Sequence, residues 1–349
     1  MPKRIGFLMK QVKTLENCTA AVLEGTENLR KTRTIQRIRN DPEKYGKRIL
    51  QIIENGWVPE PTREKTINEG TGRKPRALQI PTTRDHLVHV AILRVIIPII
   101  QRRLDFYCCG SVPGRGQKRV GYAIKGWMSG NKPVKYGAEA DVHHAYQNTD
   151  AEIIMACLRS FIKDEEYLRE HEKILRQMGG KLAIGFSPSH WYFNLIMTQV
   201  DQTIRRKCKG IKLVRFMDNY IFAGNRKRTL HKSIRTAISE CGKMGLSINK
   251  NWQVYPTEKR AIAMLSYRYF KGYTILKKST MYAISSSLKT AASNPCAHLA
   301  RGVMSRIGIL RHCNSYNYRK NHVYPVISIK QCKELISRDD KKRLLLGAA

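Results

Sequence analysis

Residues 141–146 read Asp-Val-His-His-Ala-Tyr, and residues 215–220 read Arg-Phe-Met-Asp-Asn-Tyr. In each stretch an aspartate, Asp141 or Asp218, stands among apolar residues that favour β-strands. Carboxylates presented by two different strands can hold Mg²⁺ against phosphate oxygens, the arrangement used for phosphoryl transfer. The two stretches therefore predict a metal-dependent site for nucleotide chemistry, with Asn219 directly after the second carboxylate.

The charge of the chain indicates a polyanionic partner. Its 349 residues include 64 Lys and Arg against 27 Asp and Glu, a formal net charge of +37 that is spread along the chain instead of being confined to a tail. A charge of this size opposes compaction unless a polyanion neutralises it. We expect nucleic acid to be that partner, with binding that weakens steeply as salt rises because counterions are released.

Cysteine usage and hydropathy exclude several other classes. The nine cysteines are scattered and form no C-x-x-C pair, which argues against a zinc ribbon and against a disulfide framework. The most apolar stretch, residues 91–100, contains Arg94 and Pro98 and is too short to span a bilayer. We therefore expect no membrane segment and a reducing cytoplasm as the setting.

The order of expected elements predicts the fold class. Helices are expected over residues 1–55, 85–102, 151–178, 191–204 and 229–244, followed by a basic, mainly helical tail. Strands are expected over residues 73–81, 134–146, 247–255 and 261–270, with a Gly- and Arg-rich loop over 110–119. Residues 212–222 are expected to form a strand, a turn around Asp218 and Asn219, and a second strand. Helices that alternate with adjacent strand pairs are typical of an α+β fold and not of a parallel βαβ sheet.

Four motifs follow one another along the chain: a basic strand, a carboxylate strand with an aromatic residue five positions on, a Gly-x-x-x-Ser loop that opens a helix, and an aromatic-Met-Asp hairpin. In this order they resemble the motifs of reverse transcriptases, over about residues 73–273. Each motif is weak alone, and their order and spacing carry the resemblance. It implies an α+β right-hand polymerase, with fingers, an antiparallel-sheet palm and a helical thumb, that makes DNA on an RNA template.

The resemblance also implies a domain plan. The expected domains are a basic helical N-terminal extension over residues 1–70, fingers over 71–135, a palm over 136–275 with finger helices inserted around 151–180, and a helical thumb with a basic tail over 276–349.

Roles for the candidate catalytic residues follow from the same resemblance. Asp141 and Asp218 are expected to bind two Mg²⁺ ions, for which Mn²⁺ could substitute, and the backbone carbonyl of Val142 to complete the metal shell. Asn219 completes the expected catalytic set, and by the resemblance it stands where the hairpin of the family has a second aspartate. Because Asn is nearly isosteric with Asp but neutral, it can offer one carbonyl oxygen while removing a negative charge.

Five further residues are expected to contact the nucleotide. The resemblance implies that Tyr146 lies under the sugar and excludes a 2′-hydroxyl, and that Lys74 and Arg76 grip the triphosphate. Gly185 would let backbone approach the nascent base pair, which Ile184 would contact as an apolar surface.

Residues 184–190 indicate which group of reverse transcriptases the chain resembles. They read Ile-Gly-x-x-x-Ser-His where most reverse transcriptases read Gln-Gly-x-x-x-Ser-Pro, and where those of diversity-generating retroelements read an aliphatic residue, Gly, x-x-x and Ser-Gln. Ile184 favours the retroelement group, while His190 fits neither pattern. Residues 251–254, Asn-Trp-Gln-Val, and 265–267, Leu-Ser-Tyr, resemble Trp-Gln-Val and Leu-Gly-Tyr segments of the same bacterial group.

This narrower resemblance implies a set of partners and a setting. The partners are a structured template RNA, a primer, the cDNA product, dNTPs and a small basic accessory protein, in the cytoplasm of a bacterium or encoded by a phage. Three alternatives stay open at this point. They are an active or attenuated retroelement enzyme, an antiphage-defence or unassigned bacterial reverse transcriptase, and a catalytically inactive RNA-binding descendant.

Overall fold

The computed structural model describes residues 4–29, 32–69 and 74–347. The chain divides into two compact units. The first comprises Met1–Val120, Ala140–Phe222 and Lys227–Gln253, and the second comprises Gly121–Glu139, Ala223–Arg226 and Val254–Ala349. Within the described residues, no helix is both long enough and apolar enough to cross a bilayer.

Helices make up most of the described chain. They are α1 (Leu8–Val12), α2 (Leu15–Glu27), α3 (Arg33–Asn40), α4 (Pro42–Glu54), α5 (Thr83–Arg103), α6 (Gly116–Met128), α7 (Ala151–Arg159), α8 (Glu165–Gln177), α9 (Ser187–Lys207), α10 (Lys227–Gly242), α11 (Lys278–Ser293), α12 (Ala297–Ile309), α13 (Tyr316–His322) and α14 (Ile329–Gly347).

The strands of the described residues form three sheets. They are β1 (Arg63–Glu69), β2 (Lys74–Ile80), β3 (Tyr136–Asp141), β4 (Lys212–Phe216), β5 (Asn219–Gly224), β6 (Gln253–Pro256), β7 (Ile262–Met264), β8 (Tyr267–Tyr269) and β9 (Thr274–Leu276). β1 and β2 pair antiparallel, from Arg63 opposite Ile80 to Glu69 opposite Lys74. A four-stranded sheet has the order β4-β5-β3-β6, and β7, β8 and β9 form an antiparallel sheet of their own.

Local chemistry sets where the N-terminal helices begin. Thr14 accepts a hydrogen bond from the backbone of Asn17 at the start of α2, and Asp41 does the same for Lys44 at the start of α4. Pro42 occupies the first position of α4, where its missing N–H is not needed. These caps separate the helices of this segment, so the helical character predicted for residues 1–55 is confirmed over residues 4–29 and 32–55.

Helix α9 lies at the centre of the first unit and contacts α5, α7 and α10. Side chains are buried on nearly every face of this helix, among them Tyr192, Phe193 and Ile196. Pro188 lies in its first turn, where a proline is compatible with the helix. Three basic residues in its last turn stabilise the negative end of the helix dipole. The helix predicted over residues 191–204 is therefore confirmed and is longer at both ends.

Several predicted boundaries were wrong for identifiable reasons. The first carboxylate strand ends at Asp141, because residues 143–148 fold into turns in which the backbone amide of Asn148 donates to the His144 carbonyl, at 2.9 Å. The helix predicted over 151–178 is two helices, since Asp164 caps a new start at α8. The loop predicted over 110–119 already enters helix α6 at Gly116.

Two later strand predictions also need correction. The strand predicted over 247–255 is confined to Gln253–Pro256, although Ile248 makes one antiparallel bridge to Val142. The strand predicted over 261–270 is a hairpin of β7 and β8, because Leu265 adopts a left-handed conformation with φ of 51° and turns the chain. The expected start of the basic strand at Arg73 lies outside the described residues.

Candidate active site

The two predicted carboxylates come from neighbouring strands of the four-stranded sheet. Asp141 is the last residue of β3, and Asp218 lies in the turn between β4 and β5. The backbone amide of Val142, the residue after Asp141, donates a hydrogen bond of 3.0 Å to the carbonyl of Asp218. This contact joins the two predicted segments at a single place.

The hairpin that carries Asp218 is tight and sits on a glycine. Its turn consists of Met217 and Asp218, so Asn219 is already the first residue of β5. Met217 adopts a left-handed conformation with φ of 55°. A Cβ atom on Gly110 would lie 2.3 Å from the Met217 nitrogen, so only glycine lets this loop support the turn.

Each carboxylate accepts a hydrogen bond from an asparagine amide. Asn219 Nδ2 donates to Asp218 Oδ1 at 2.8 Å, and Asn249 Nδ2 donates to Asp141 Oδ2. The backbone of Asn249 also donates to the Asp141 carbonyl at 2.9 Å, and its side-chain oxygen lies 2.8 Å from His143 Nδ1. Sequence reasoning missed Asn249, because it lies 108 residues from Asp141 and outside any recognised motif.

The electrostatics of the site favour the binding of a cation next to Asp218. Burial is the main cause that raises the pKa of Asp218, and the negative charge of Asp141 raises it further. The hydrogen bond from Asn219 and the positive charge of Arg76 act in the opposite direction. A metal ion between the two carboxylates would remove the repulsion and favour the ionised form of Asp218.

Tyr146 lies close to this pair. Its ring centroid is 5.7 Å from that of Phe193, a buried residue of α9, and its hydroxyl pKa is raised by burial and then by the charge of Asp218. The tyrosine thus packs against α9, and the charge of Asp218 acts on its hydroxyl.

The loop that carries Ile184 and Gly185 is joined to the basic strand β2. The Gln79 amide donates to the Ile184 carbonyl at 2.9 Å. Gly185 has φ of 109°, and a Cβ atom there would lie 2.3 Å from the Gln79 carbonyl oxygen. Only a residue without a side chain fits this close approach of two backbones.

The predicted phosphate-binding cations lie on the same strand, β2. Arg76 is exposed to solvent and acts electrostatically on Asp218. Lys74 begins β2, but its side chain lies outside what the structure describes. The structure therefore brings Asp141, Asp218 and Arg76 into one electrostatic neighbourhood, and it connects the 184–185 loop to the strand that carries Arg76.

The donor set suits a hard cation. Over residues 4–29, 32–69 and 74–347, no group of three or more His, Cys, Asp and Glu side chains could hold a metal ion. A metal at Asp141 and Asp218 would therefore draw further oxygens from backbone carbonyls, such as that of Val142, and from phosphates. Mg²⁺ is commonly bound in this way, through one or two carboxylates and substrate phosphates.

Sequence comparison identifies the family. The profile of the family described as "Reverse transcriptase (RNA-dependent DNA polymerase)" matches residues 67–268, more than half of the chain. The chain belongs to the reverse transcriptase family. The predicted α+β fold of the right-hand polymerase class is confirmed. Domains of this family use divalent metal ions, a nucleic acid template and dNTPs.

The chain is also similar to solved telomerase structures. The telomerase of Candida albicans, in complex with the TWJ fragment of telomeric RNA, matches with 11% identity and a TM-score of 0.48, over 72% of this chain and 53% of that one. The telomerase of Candida tropicalis, in complex with the TWJ fragment of telomeric RNA, matches with 13% identity and a TM-score of 0.48, over 80% of this chain and 58% of that one. The apo telomerase of Candida tropicalis, truncated from the C-terminal domain, matches with 14% identity and a TM-score of 0.43, over 64% of this chain and 56% of that one.

This chain thus spans a little over half the length of each of these solved chains. No curated protein matches its sequence.

Proposed function

We propose that this chain synthesises DNA on an RNA template and that Asp141 and Asp218 are its catalytic carboxylates. The observation that carries the proposal is the 3.0 Å hydrogen bond between the Val142 amide and the Asp218 carbonyl, which joins the two segments in a member of the reverse transcriptase family. The opposed effects of Asp141 and Arg76 on the pKa of Asp218 support it, because a nucleotide site needs both metal ligands and phosphate ligands.

Asp141, Asp218 and the Val142 carbonyl would hold two Mg²⁺ ions, or Mn²⁺ in their place. When bound, such ions activate the primer 3′-hydroxyl and neutralise charge on the triphosphate. The two asparagine amides each fix one carboxylate oxygen, so the other oxygen of each aspartate has a defined direction. The protein's own contribution is thus to hold two carboxylates ready for the cations.

The remaining site residues would position the nucleotide. Arg76, with Lys74 on the same strand, would bind the triphosphate, and Tyr146 would lie against the sugar and exclude a 2′-hydroxyl. Ile184 would contact the nascent base pair, and Gly185 would keep the loop close to β2. The backbone contact between Gln79 and Ile184 supports this, because it holds the loop to the strand of phosphate ligands.

We assign the domains of the family to this chain as follows. Residues 1–70 are the N-terminal extension, 71–135 the fingers, 136–275 the palm with finger helices inserted around 151–180, and 276–349 the thumb and basic tail. The four-stranded sheet with both carboxylates supports the palm assignment, and the predominance of helices after residue 277 supports the thumb.

Within the family we propose a diversity-generating retroelement enzyme of bacterial or phage origin, acting in the cytoplasm. Its template would be a structured RNA, it would extend a primer into cDNA, and a small basic accessory protein would assist it. Ile184 and the segments 251–254 and 265–267 support this choice. Sequencing of the neighbouring DNA tests it, because a template repeat and a variable repeat should lie nearby, whereas an antiphage-defence enzyme would have neither.

One observation favours a catalytically inactive RNA-binding descendant as the second candidate. Asn219 carries no charge, and its amide nitrogen is engaged as a hydrogen-bond donor to Asp218, so this side chain has at most one oxygen for a metal. Asp141, Asp218, Tyr146 and Arg76 are nevertheless all retained. We therefore propose an active enzyme whose rate is reduced by the missing carboxylate.

Primer extension separates the two candidates. The purified chain is given an RNA template, a DNA or RNA primer and dNTPs, with Mg²⁺ or Mn²⁺. The proposal predicts product in at least one metal, and its loss in Asp141→Ala and in Asp218→Ala, while Asp150→Ala, at an exposed aspartate, retains it. RNA binding with no product in either metal would establish the inactive descendant.

A further inference from the structure

A fully buried polar cluster lies directly beneath the candidate catalytic hairpin. Arg215 on β4 and Asp201 on α9 are each 1% exposed, and Asn194, two turns earlier on α9, is 0% exposed. Arg215 Nε donates to both carboxylate oxygens of Asp201, at 2.9 and 3.1 Å, and Nη2 lies 2.9 Å from the same group. Both charges of the buried pair are therefore compensated.

The guanidinium also reaches the turn itself. Arg215 Nη1 donates to the Met217 carbonyl at 3.0 Å and to Asn194 Oδ1 at 2.8 Å. The Met217 carbonyl belongs to the peptide that leads into Asp218. Arg215 therefore fixes the orientation of the backbone immediately before the carboxylate.

The same cluster holds the other strand and the loop below the turn. The Tyr220 hydroxyl on β5 donates to Asp201 Oδ1 at 2.8 Å. Asn194 Nδ2 donates to the carbonyl of Gly110, the glycine on which Met217 rests, at 2.9 Å. Helix α9 is thus bonded to β4, to β5 and to the supporting loop.

The turn needs such support for a physical reason. Met217 has positive φ, which is uncommon for a residue with a side chain and persists only when its surroundings hold it. A short turn that carries an aspartate repelled by a neighbouring carboxylate would otherwise be free to relax away from it. The cluster is too deeply buried to contact a nucleotide, so its effect must pass through the hairpin.

We infer that Arg215, Asp201 and Asn194 are positioning residues that set the place of Asp218 through the Met217 carbonyl. The inference rests on the proposed function, because it assigns to the cluster an effect on the polymerase reaction. It goes beyond that function in naming residues that touch neither metal nor substrate.

Two variants test the inference. Arg215→Lys keeps a positive charge opposite Asp201, so the buried carboxylate still has a counter-charge. A single ammonium, however, lacks the planar guanidinium that donates to Asp201, Asn194 and Met217 together. Tyr220→Phe removes one buried hydroxyl and leaves the ring. Its matched control is Tyr167→Phe on α8, because Tyr167 is equally buried and its hydroxyl donates at 2.7 Å to the Ile92 carbonyl, away from the hairpin.

Two readouts are compared with wild type. Steady-state primer extension gives kcat and the KM for primer–template, and hydrogen-exchange mass spectrometry follows the peptide that covers residues 216–222. We expect both hairpin variants to show faster exchange in this peptide and a kcat lower by about tenfold or more, the usual cost of losing a group that orients a metal ligand, at unchanged KM. Tyr167→Phe should alter neither.

Each result decides the inference. Unchanged exchange in both hairpin variants, or faster exchange with an unchanged kcat, would overturn it, as would an equal effect of Tyr167→Phe. If Arg215→Lys does not fold, Tyr220→Phe alone decides. If the wild type makes no product, the proposed polymerase function fails. In that case the exchange of the 216–222 peptide decides the inference. Unchanged exchange in both hairpin variants would overturn it, whereas faster exchange would show that the cluster positions the hairpin.

Discussion

The side-chain amide of Asn219 donates a 2.8 Å hydrogen bond to the carboxylate of Asp218. The family resemblance has a second aspartate at this position, which would repel Asp218 instead. The amide therefore lowers the pKa of a carboxylate whose pKa burial and Asp141 both raise. Asn219 carries no negative charge, and its amide stabilises the ionised form of Asp218.

The first prediction concerns Asn219→Asp. Under the proposed function the new carboxylate adds a metal ligand, so the extension rate at saturating Mg²⁺ should increase. It also replaces a hydrogen-bond donor by a like charge, which raises the pKa of Asp218 further. Rate profiles against pH should therefore show the acid limb at higher pH in the variant than in wild type.

Asn148→Asp is a suitable control for the first prediction. Asn148 Nδ2 donates to the His143 carbonyl at 3.0 Å, so the change adds a charge nearby without replacing the donor to Asp218. An unchanged or lower rate for Asn219→Asp would mean that the asparagine is adapted to this site.

The second prediction concerns stability and Asp218→Asn. A carboxyl with a raised pKa holds its proton more tightly in the folded chain than in the unfolded chain, so its ionisation destabilises the fold. The penalty is absent below the ordinary pKa of 3.8 and develops as the pH rises through the raised value. In metal-free buffer near neutral pH, Asp218→Asn should therefore have a higher Tm than wild type.

The pH and metal dependence of that difference provide the check. The gain in Tm should shrink as the pH falls towards 3.8, and Mg²⁺ should raise the Tm of wild type but not that of Asp218→Asn. Asp150→Asn, at an exposed aspartate, should show neither effect. A variant less stable than wild type at neutral pH would contradict the assignment of Asp218 as a destabilising charge.

The third prediction concerns Asn249, which holds Asp141. Asn249→Ala removes the amide that fixes one oxygen of the carboxylate, and the single-turnover extension rate should fall by about 10- to 100-fold. Asn148→Ala removes a hydrogen bond of the same kind to a backbone carbonyl close by, and its rate should stay near that of wild type. Equal rates for the two variants would contradict a role of Asn249 in holding Asp141.

The fourth prediction concerns the close approach of Gly185 to β2. Gly185→Ala and Gly210→Ala both place a side chain at positive φ, but a Cβ atom at Gly210 has no neighbour within 4 Å, whereas at Gly185 it meets the Gln79 carbonyl at 2.3 Å. Denaturant unfolding should show about 1–3 kcal/mol more destabilisation for Gly185→Ala, because of this overpacking. A smaller loss than that of Gly210→Ala would show that the loop does not rest on β2.

Local sequence patterns predicted the segments of the site better than their connections. Asp141 and Asp218 were recognisable because each stands among strand-forming residues, and the helix that became α9 was evident from its apolar character. The turn was placed one residue too late, at Asp218 and Asn219, because a left-handed Met217 has no signal in the sequence. Asn249 and Gly110 acquire their roles only when distant segments meet.

The buried pair of Arg215 and Asp201 was equally hidden. Asp201 lies in an apolar helix and Arg215 just before the hairpin, and both resemble ordinary surface charges when the chain is read in order. Their burial depends on the packing of α9 against the sheet, which is a tertiary property. A charge in an otherwise apolar helix was the available signal, and its partner could not be identified from spacing.

The incorporation of one complementary dNTP on an RNA template, measured under single-turnover conditions for wild type and Asp218→Asn, tests the central claim most directly. Saturating Mg²⁺ is used, and folding of both proteins is established by circular dichroism. We predict measurable incorporation by wild type and a rate at least about a hundredfold lower in the variant, since the loss of groups that merely orient metal ligands already costs 10- to 100-fold. Incorporation by Asp218→Asn at the wild-type rate would contradict the role of this carboxylate.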